Sequence, residues 1–264
     1  LAGFSAFEVL SYRWGVASIV LIVFGWLSGC NFRLAGKDWG VVFLLSLLRA
    51  VTSFSLIIAY QNIASGVAST IHFMYPLAVA LAMMFFFREK KSLLVILAVL
   101  MSLLGAALLS LGELEAKSGN TMVGLVAACV SVFSYAGYIV GVRTTRAVQI
   151  NSTALTCYVM GLGTIFYLIG AYCTSGLQLV SDGYTWLIIL GLALPATAIS
   201  NITLVQAIKY AGPTLTSILG AMEPLTAVVI GVFVFKELFT VNSAVGIILI
   251  LLAVSIVVFR RQKS

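Results

Sequence analysis

Thr216 to Phe239, TSILGAMEPLTAVVIGVFVFKELF, is an apolar run with a carboxylate, Glu223, and a proline, Pro224, near its middle. As helix, about 20 such residues cross a hydrocarbon core of about 30 Å. An earlier stretch echoes it: Ser69 to Lys91, STIHFMYPLAVALAMMFFFREKK. Setting Pro76 on Pro224, an offset of 148, also superposes Ser69 on Ser217, Met74 on Met222, Leu77 on Leu225, Phe85 on Phe233 and Glu89 on Glu237 without a gap. That distance is far longer than a solenoid period and marks a duplicated half-protein.

Composition fixes the solvent. Of 264 residues, 62% are hydrophobic and 9% charged, against about 25% charged in a soluble domain. Too little polar surface exists to cover the chain, so lipid is its surroundings. The net charge of +7 does not point to nucleic acid, because the basic residues punctuate apolar runs instead of gathering on one face. Cys30, Cys129, Cys157 and Cys173 lack a CxxC or Cys/His spacing, and His72 stands alone, so neither a metal site nor a cofactor is expected.

Nine apolar runs read as membrane helices: 7–28, 40–61, 66–87, 92–112, 120–142, 152–174, 184–207, 213–235 and 240–259. With the carboxyl terminus cytoplasmic, the inside segments hold Arg33, Lys37, Arg88, Lys90, Lys91, Arg143, Arg146, Lys209, Arg260, Arg261 and Lys263, whereas the outside segments hold only Lys117 and Lys236. Eleven against two satisfies the positive-inside rule and predicts a multi-pass protein of the cell membrane, of a bacterial cytoplasmic type, with Ser264 inside. Trp39 also pairs with Trp186 at an offset of 147, so spans one to four match spans six to nine. A partner for span five would precede residue 1, which leads to the expectation of a ten-span parent built as five plus five. An odd number of spans per repeat inserts the halves in opposite orientations.

On these residues the chain resembles the EamA-type transporters of the drug/metabolite transporter superfamily. The resemblance is carried by Tyr75-Pro76 with Arg88-Glu89, by Met222-Glu223-Pro224 with Lys236-Glu237, and by Leu10-Ser11-Tyr12-Arg13. It extends over essentially the whole chain. It implies an all-α polytopic membrane bundle of two inverted repeats, residues 1–117 (lacking the family's first span) and 118–264. It also implies a small polar metabolite as substrate, often an amino acid or related compound, commonly exported.

Ionisable groups inside a span are costly and are functional candidates by default. Glu223 lies too deep to snorkel, and Thr216, Gly220, Glu223 and Ala227 share a helical face. Pro224 lacks an N–H, so a kink with a freed Gly220 carbonyl is expected beside the carboxylate. A coupling or selectivity role is one reading of Glu223; a structural pair with an arginine is the other. Arg49 lies on a polar stripe with Ser46, Ser53 and Tyr60, and either grips an anionic part of the substrate or pairs with Glu223. Arg13, next to Tyr12, is shallower and reads as a substrate contact or a snorkelling cation.

His72 precedes Pro76 by one turn, with Tyr75 adjacent; proton handling and a neutral, hydrogen-bonded histidine are both open. Pro195, followed by Ser200-Asn201, marks a third helix break, with cavity lining and interhelical hydrogen bonding as alternatives. Tyr135, Tyr138 and Tyr167 read as packing or interface residues, and Gly161, Gly163, Gly170, Gly231 and Gly246 as points of close helix approach. Spans 92–112 and 240–259 are nearly devoid of polar side chains and face lipid or the second copy of a homodimer.

The expected function is secondary transport by alternating access, with a proton as one candidate coupling ion. A passive facilitator or channel is the alternative. No nucleotide-binding motif is present, and a single histidine without an in-span aspartate argues against an enzyme.

Overall fold

Each apolar run of the sequence becomes helix, because a segment without water for its backbone must satisfy its own N–H and C=O groups. The computed structural model describes residues 4–89, 93–110, 119–174, 176, 178–220, 222–233 and 240–262. Among these the order is α1 (Ala6–Leu27), a 3-10 turn (Gly36–Asp38), α2 (Trp39–Asn62), α3 (Ser65–His72), α4 (Tyr75–Phe86), α5 (Leu93–Ser110), α6 (Thr121–Thr144), a 3-10 turn (Arg146–Gln149) and α7 (Ser152–Thr174). Then come α8 (Gly183–Ala193), a π-helical segment (Leu194–Ile199), α9 (Ser200–Ala211), α10 (Pro213–Leu219), α11 (Met222–Phe233) and α12 (Val241–Gln262). No strand occurs among the described residues. The chain is an all-α polytopic bundle.

All nine predicted spans have helical counterparts, with described ends within about four residues of those expected. Six segments are each long and apolar enough to cross a bilayer: Ala6–Leu27, Gly36–Asn62, Ser65–Phe86, Thr121–Thr144, Ser152–Thr174 and Gly183–Ala211. α5 and α12 carry shorter apolar stretches, Leu93–Leu108 and Ala244–Ile256. Lys90, Lys91, Lys117, Lys236 and Lys263, on which the predicted topology partly rests, lie outside the described residues, as does Glu237.

The chain divides into two compact units, Leu1–Phe54 with Gly141–Tyr210 and Ser55–Val140 with Ala211–Ser264. α2 and α6 contribute residues to both.

In the first unit, α1 packs along α7. A Cβ on Gly163 would lie 2.2 Å from the Trp14 ring, and one on Gly170 would lie 2.5 Å from Phe7, so these glycines allow aromatic side chains to lie against the α7 backbone. α1 begins with a capping box: Ser5 Oγ accepts the Glu8 N–H and Glu8 Oε2 accepts the Ser5 N–H. Glu8 Oε1 accepts a second N–H for the carboxylate, from Gln178 at 2.7 Å, which is why a carboxylate only 1% exposed is tolerated there. α2 is tied to α7 by Ser46 Oγ donating to the Val159 carbonyl (2.9 Å) and by Tyr167 OH donating to the Ala50 carbonyl (2.8 Å).

In the second unit, α5 and α12 meet face to face, with Ile250 buried beside Gly105. Val95, Ala98 and Val99 of α5 and Ala253 of α12 share one core with Ala80, Met84 and Ile218. The opposite faces of these helices, including Leu97, Leu100, Leu104, Ile248 and Leu251, are exposed. Gly212 adopts φ +86° before Pro213, a left-handed conformation open to glycine, and so sets the start of α10.

Candidate functional site

Three helical segments depart from regular α-helix at a proline: 65–86 and 183–211, both long and apolar enough to cross a bilayer, and 213–233. In the segment 65–86, α3 ends at His72 and α4 starts at Tyr75 with Pro76 in its first turn. In the segment 213–233, α10 ends at Leu219 and α11 starts at Met222 with Glu223 and Pro224 in its first turn. Proline disfavours helical backbone in the preceding residue and is comfortable just inside a helix start, so the chain breaks before the proline and restarts on it.

This corrects the expected kink at Pro224 in two respects. The Gly220 carbonyl is not freed, because the Glu223 N–H donates to it at 3.0 Å. The face expected to join Thr216, Gly220, Glu223 and Ala227 is also cut in two by the break. Glu223 is exposed and lies at the positive end of the α11 dipole, where a carboxylate is favoured. At Pro195 the outcome differs again: the helix stays continuous, and residues 194–199 widen to a π turn.

In the first unit, the π segment receives two arginines. Arg13, on α1, donates from Nε to Thr197 Oγ1 (2.5 Å) and from Nη2 to the Ala196 carbonyl (3.4 Å). Arg49, on α2, donates from Nε to Asn201 Oδ1 (3.2 Å) and from Nη1 to Ser53 Oγ (3.0 Å). Its guanidinium carbon lies 5.8 Å from the centroid of the buried Trp14 ring, within cation–π range. Thr197 and Asn201, 1% and 2% exposed, stand one turn apart and are joined by Asn201 Nδ2 donating to the Thr197 carbonyl at 2.7 Å. Thr197 Oγ1 donates its own proton to the Leu192 carbonyl (2.8 Å), so toward Arg13 it acts as acceptor.

Arg13, Arg49, Ser53 and Asn201 are thus brought together. Tyr12, adjacent to Arg13, is turned elsewhere: its hydroxyl donates to the Gln178 carbonyl at 2.5 Å. Trp14 and Thr197 complete the group. Nothing in their spacing marked them, because the apolar residues of α1 are spread over all its sides and the π turn re-aims residue 197.

In the second unit, His72 and Tyr75 flank the break between α3 and α4. His72 Nδ1 lies 2.9 Å from Ser131 Oγ, whose own proton goes to the Ala128 carbonyl at 2.6 Å. The ring nitrogen is therefore the donor of the pair, which places an imidazole proton on Nδ1. Tyr135 stacks on His72 (centroids 5.5 Å apart, planes at 25°) and meets Tyr75 edge-on at 4.6 Å. A Cβ on Gly220 would fall 1.8 Å from the Tyr75 hydroxyl, so the break between α10 and α11 needs glycine at this position. Tyr135 and Tyr138, which read as packing residues, form with His72 and Tyr75 one aromatic group.

A helical bundle whose membrane-crossing segments break at mid-length around polar and ionisable side chains has the build of a multi-pass membrane transporter. The chain belongs to the EamA-like transporter family, matching it over residues 1–111 and 122–259. It is similar to an uncharacterized transporter of Archaeoglobus fulgidus, with 28% identity over 238 residues that cover 89% of this chain and 83% of that one. A crystal structure titled only as that of a protein superposes with a TM-score of 0.83, covering 100% of this chain and 91% of that chain at 17% identity. At that identity the likeness speaks for the fold alone.

Proposed function

We propose that the protein is a secondary transporter that exports a small polar, amino-acid-like metabolite across the cell membrane by alternating access of two inverted repeats, 1–117 and 118–264. The observation that carries this reading is the coincidence of helix interruption with polar chemistry. His72 and Tyr75, Thr197 and Asn201, and Glu223 each stand at or next to a break, at depths where such groups need water, a ligand or one another. Glu223, exposed on the first turn of α11, is assigned the coupling role through its carboxylate, although the helix start on which it sits favours the charged acid and not a cation.

Counterflow in liposomes tests the reading. Vesicles containing the purified protein are loaded with an unlabelled mixture of amino acids and offered one labelled amino acid at a time. A carrier accumulates label transiently because trans substrate accelerates its return step, and Glu223→Gln removes the dependence of that exchange on a pH gradient. Label that only equilibrates, indifferent to the trans side, identifies a pore. Exchange with the same pH response in wild type and Glu223→Gln rejects the coupling role.

A further inference from the structure

The first unit gathers its basic residues, the two in-span arginines aside, at one end. α1 and α7 run antiparallel, since Gly170 lies against Phe7, Gly163 against Trp14 and Cys157 against Ser18. The end of α1, the start of α2 and the start of α7 therefore lie together, tied by Tyr158 OH donating to the Phe32 carbonyl at 2.6 Å. Arg33 and Lys37, on the loop between α1 and α2, belong to this end. Arg143, in the last turn of α6, donates from Nη1 to the Lys209 carbonyl at 2.6 Å. Lys209, in the last turn of α9, donates from Nζ to the Ile150 carbonyl just before α7. Arg146 stands exposed on the 3-10 turn between α6 and α7.

The acceptors of Arg143 and Lys209 are backbone carbonyls, and among the described residues no carboxylate pairs with Arg143, Arg146 or Lys209. Glu8 and Asp182 stand at the opposite end, at the starts of α1 and α8, and Asp38 closes the 3-10 turn before α2. Capping two helix ends accounts for part of the arrangement. Each carboxyl end carries about half a negative charge, so three cations keep about two positive charges. The caps also use only one of the five arginine donors and one of the three lysine donors. The depth of the patch is set by its helices: Arg143 is next to last in the apolar segment Thr121–Thr144, and Lys209 third from last in Gly183–Ala211. That is headgroup level for a helix that crosses a bilayer. Trp39, at the start of α2, and Tyr210, 46% and 83% exposed, place aromatic rings at this end, as interfacial residues do.

We propose that Arg143, Arg146 and Lys209 form a binding site for an anionic phospholipid, held by its headgroup phosphodiester. The two carbonyl bonds fix Arg143 and Lys209 in place, so that their remaining donors and the Arg146 guanidinium converge on one acceptor at the membrane surface. The occupant is a lipid because, at headgroup depth, the phosphodiesters of the leaflet are the anions at hand. The site goes beyond the transport reading and stands apart from it: it requires only that these segments cross a membrane.

The test melts the full chain in a maltoside detergent at an ionic strength of about 0.15 M, where charges more than about 8 Å apart are screened. Three probes are titrated: dihexanoyl phosphatidylglycerol, dihexanoyl phosphatidylcholine and inorganic phosphate. Phosphatidylglycerol raises the melting temperature. Phosphatidylcholine, whose phosphate is balanced by choline, and inorganic phosphate leave it unchanged. Arg146→Gln melts like wild type without lipid, because among the described residues that side chain makes no hydrogen bond or ion pair. It needs about five times more phosphatidylglycerol for the same shift, the factor that corresponds to about 1 kcal/mol per basic residue at a membrane surface. Arg33→Gln removes the same charge from the loop between α1 and α2 and leaves the titration within about twofold of wild type. The proposal is overturned if phosphatidylglycerol gives no shift, if phosphatidylcholine matches it, or if Arg146→Gln titrates like wild type. An equal loss in Arg33→Gln shows diffuse attraction in place of a site and overturns it too. An equal shift with inorganic phosphate assigns the patch to a soluble anion and overturns the lipid.

Discussion

Replacing Thr197 by valine removes one hydroxyl and little else, and that hydroxyl makes two bonds. It accepts from Arg13 Nε at 2.5 Å and donates to the Leu192 carbonyl at 2.8 Å, on a residue 1% exposed. A hydrogen bond to a charged group contributes about 1.5–3 kcal/mol in general, whereas hydrogen bonds between membrane helices average about 0.6 kcal/mol. Arg13 retains its weaker bond to Ala196, which limits the loss. The expected destabilisation is about 1–3 kcal/mol, the sum of one charge-assisted and one neutral bond reduced by that relaxation. Thr203→Val supplies the control. Its hydroxyl also bonds a helix carbonyl, that of Ile199 at 2.9 Å, but the residue is exposed and touches no charge. That variant should lie within about 0.5 kcal/mol of wild type. Denaturant titration in mixed micelles, followed by tryptophan fluorescence, measures both. Equal stability of the two variants would refute the claim that Thr197 anchors Arg13 to the π segment.

Two further predictions concern packing and a cap. A Cβ on Gly105 would lie 2.7 Å from the Gly246 carbonyl oxygen, so Gly105→Ala must push α5 and α12 apart, costing about 1–3 kcal/mol. Gly191→Ala, with nothing within 4 Å, should be neutral or stabilising; thermal unfolding that ranks them the other way contradicts the seam. Asp182 caps α8 by accepting the Thr185 N–H at 2.7 Å, and this bond holds its carboxyl below the ordinary value of 3.8. A depressed acid stabilises the fold above its unfolded pKa and loses that contribution as pH falls through the lower folded one. The melting difference between wild type and Asp182→Asn, measured from pH 7 downward, should therefore shift only below about pH 4. A difference unchanged down to pH 2 would count against the cap.

The helices were legible because lipid leaves so little choice: an apolar run of about 20 residues between hydrophilic stops has no other stable form there. The positions of the interruptions were legible from Pro76, Pro195 and Pro224, but their form was not. Pro76 and Pro224 became complete breaks and Pro195 a π turn, because the residues around each proline decide whether the helix closes again. At Pro195 the helix closes again as a π turn, within which the Thr197 hydroxyl reaches back to the Leu192 carbonyl. Arg13, Arg49, Ser53 and Asn201 stood out as polar groups in oil, and the structure joins them. Trp14, Ser131 and Thr197 did not, since apolar residues spread around every side of a helix give its sequence no rotational phase. Tyr135 read as a packing residue, and its ring packs on His72.

The Tyr75 hydroxyl occupies the space a side chain on residue 220 would need, so the first turn of one broken segment is keyed into the gap of the other. A larger residue at position 220 would meet that hydroxyl and displace the Tyr75 ring. The two discontinuities of that unit therefore adjoin, and a crosslinker of short span placed on one can be expected to reach the other.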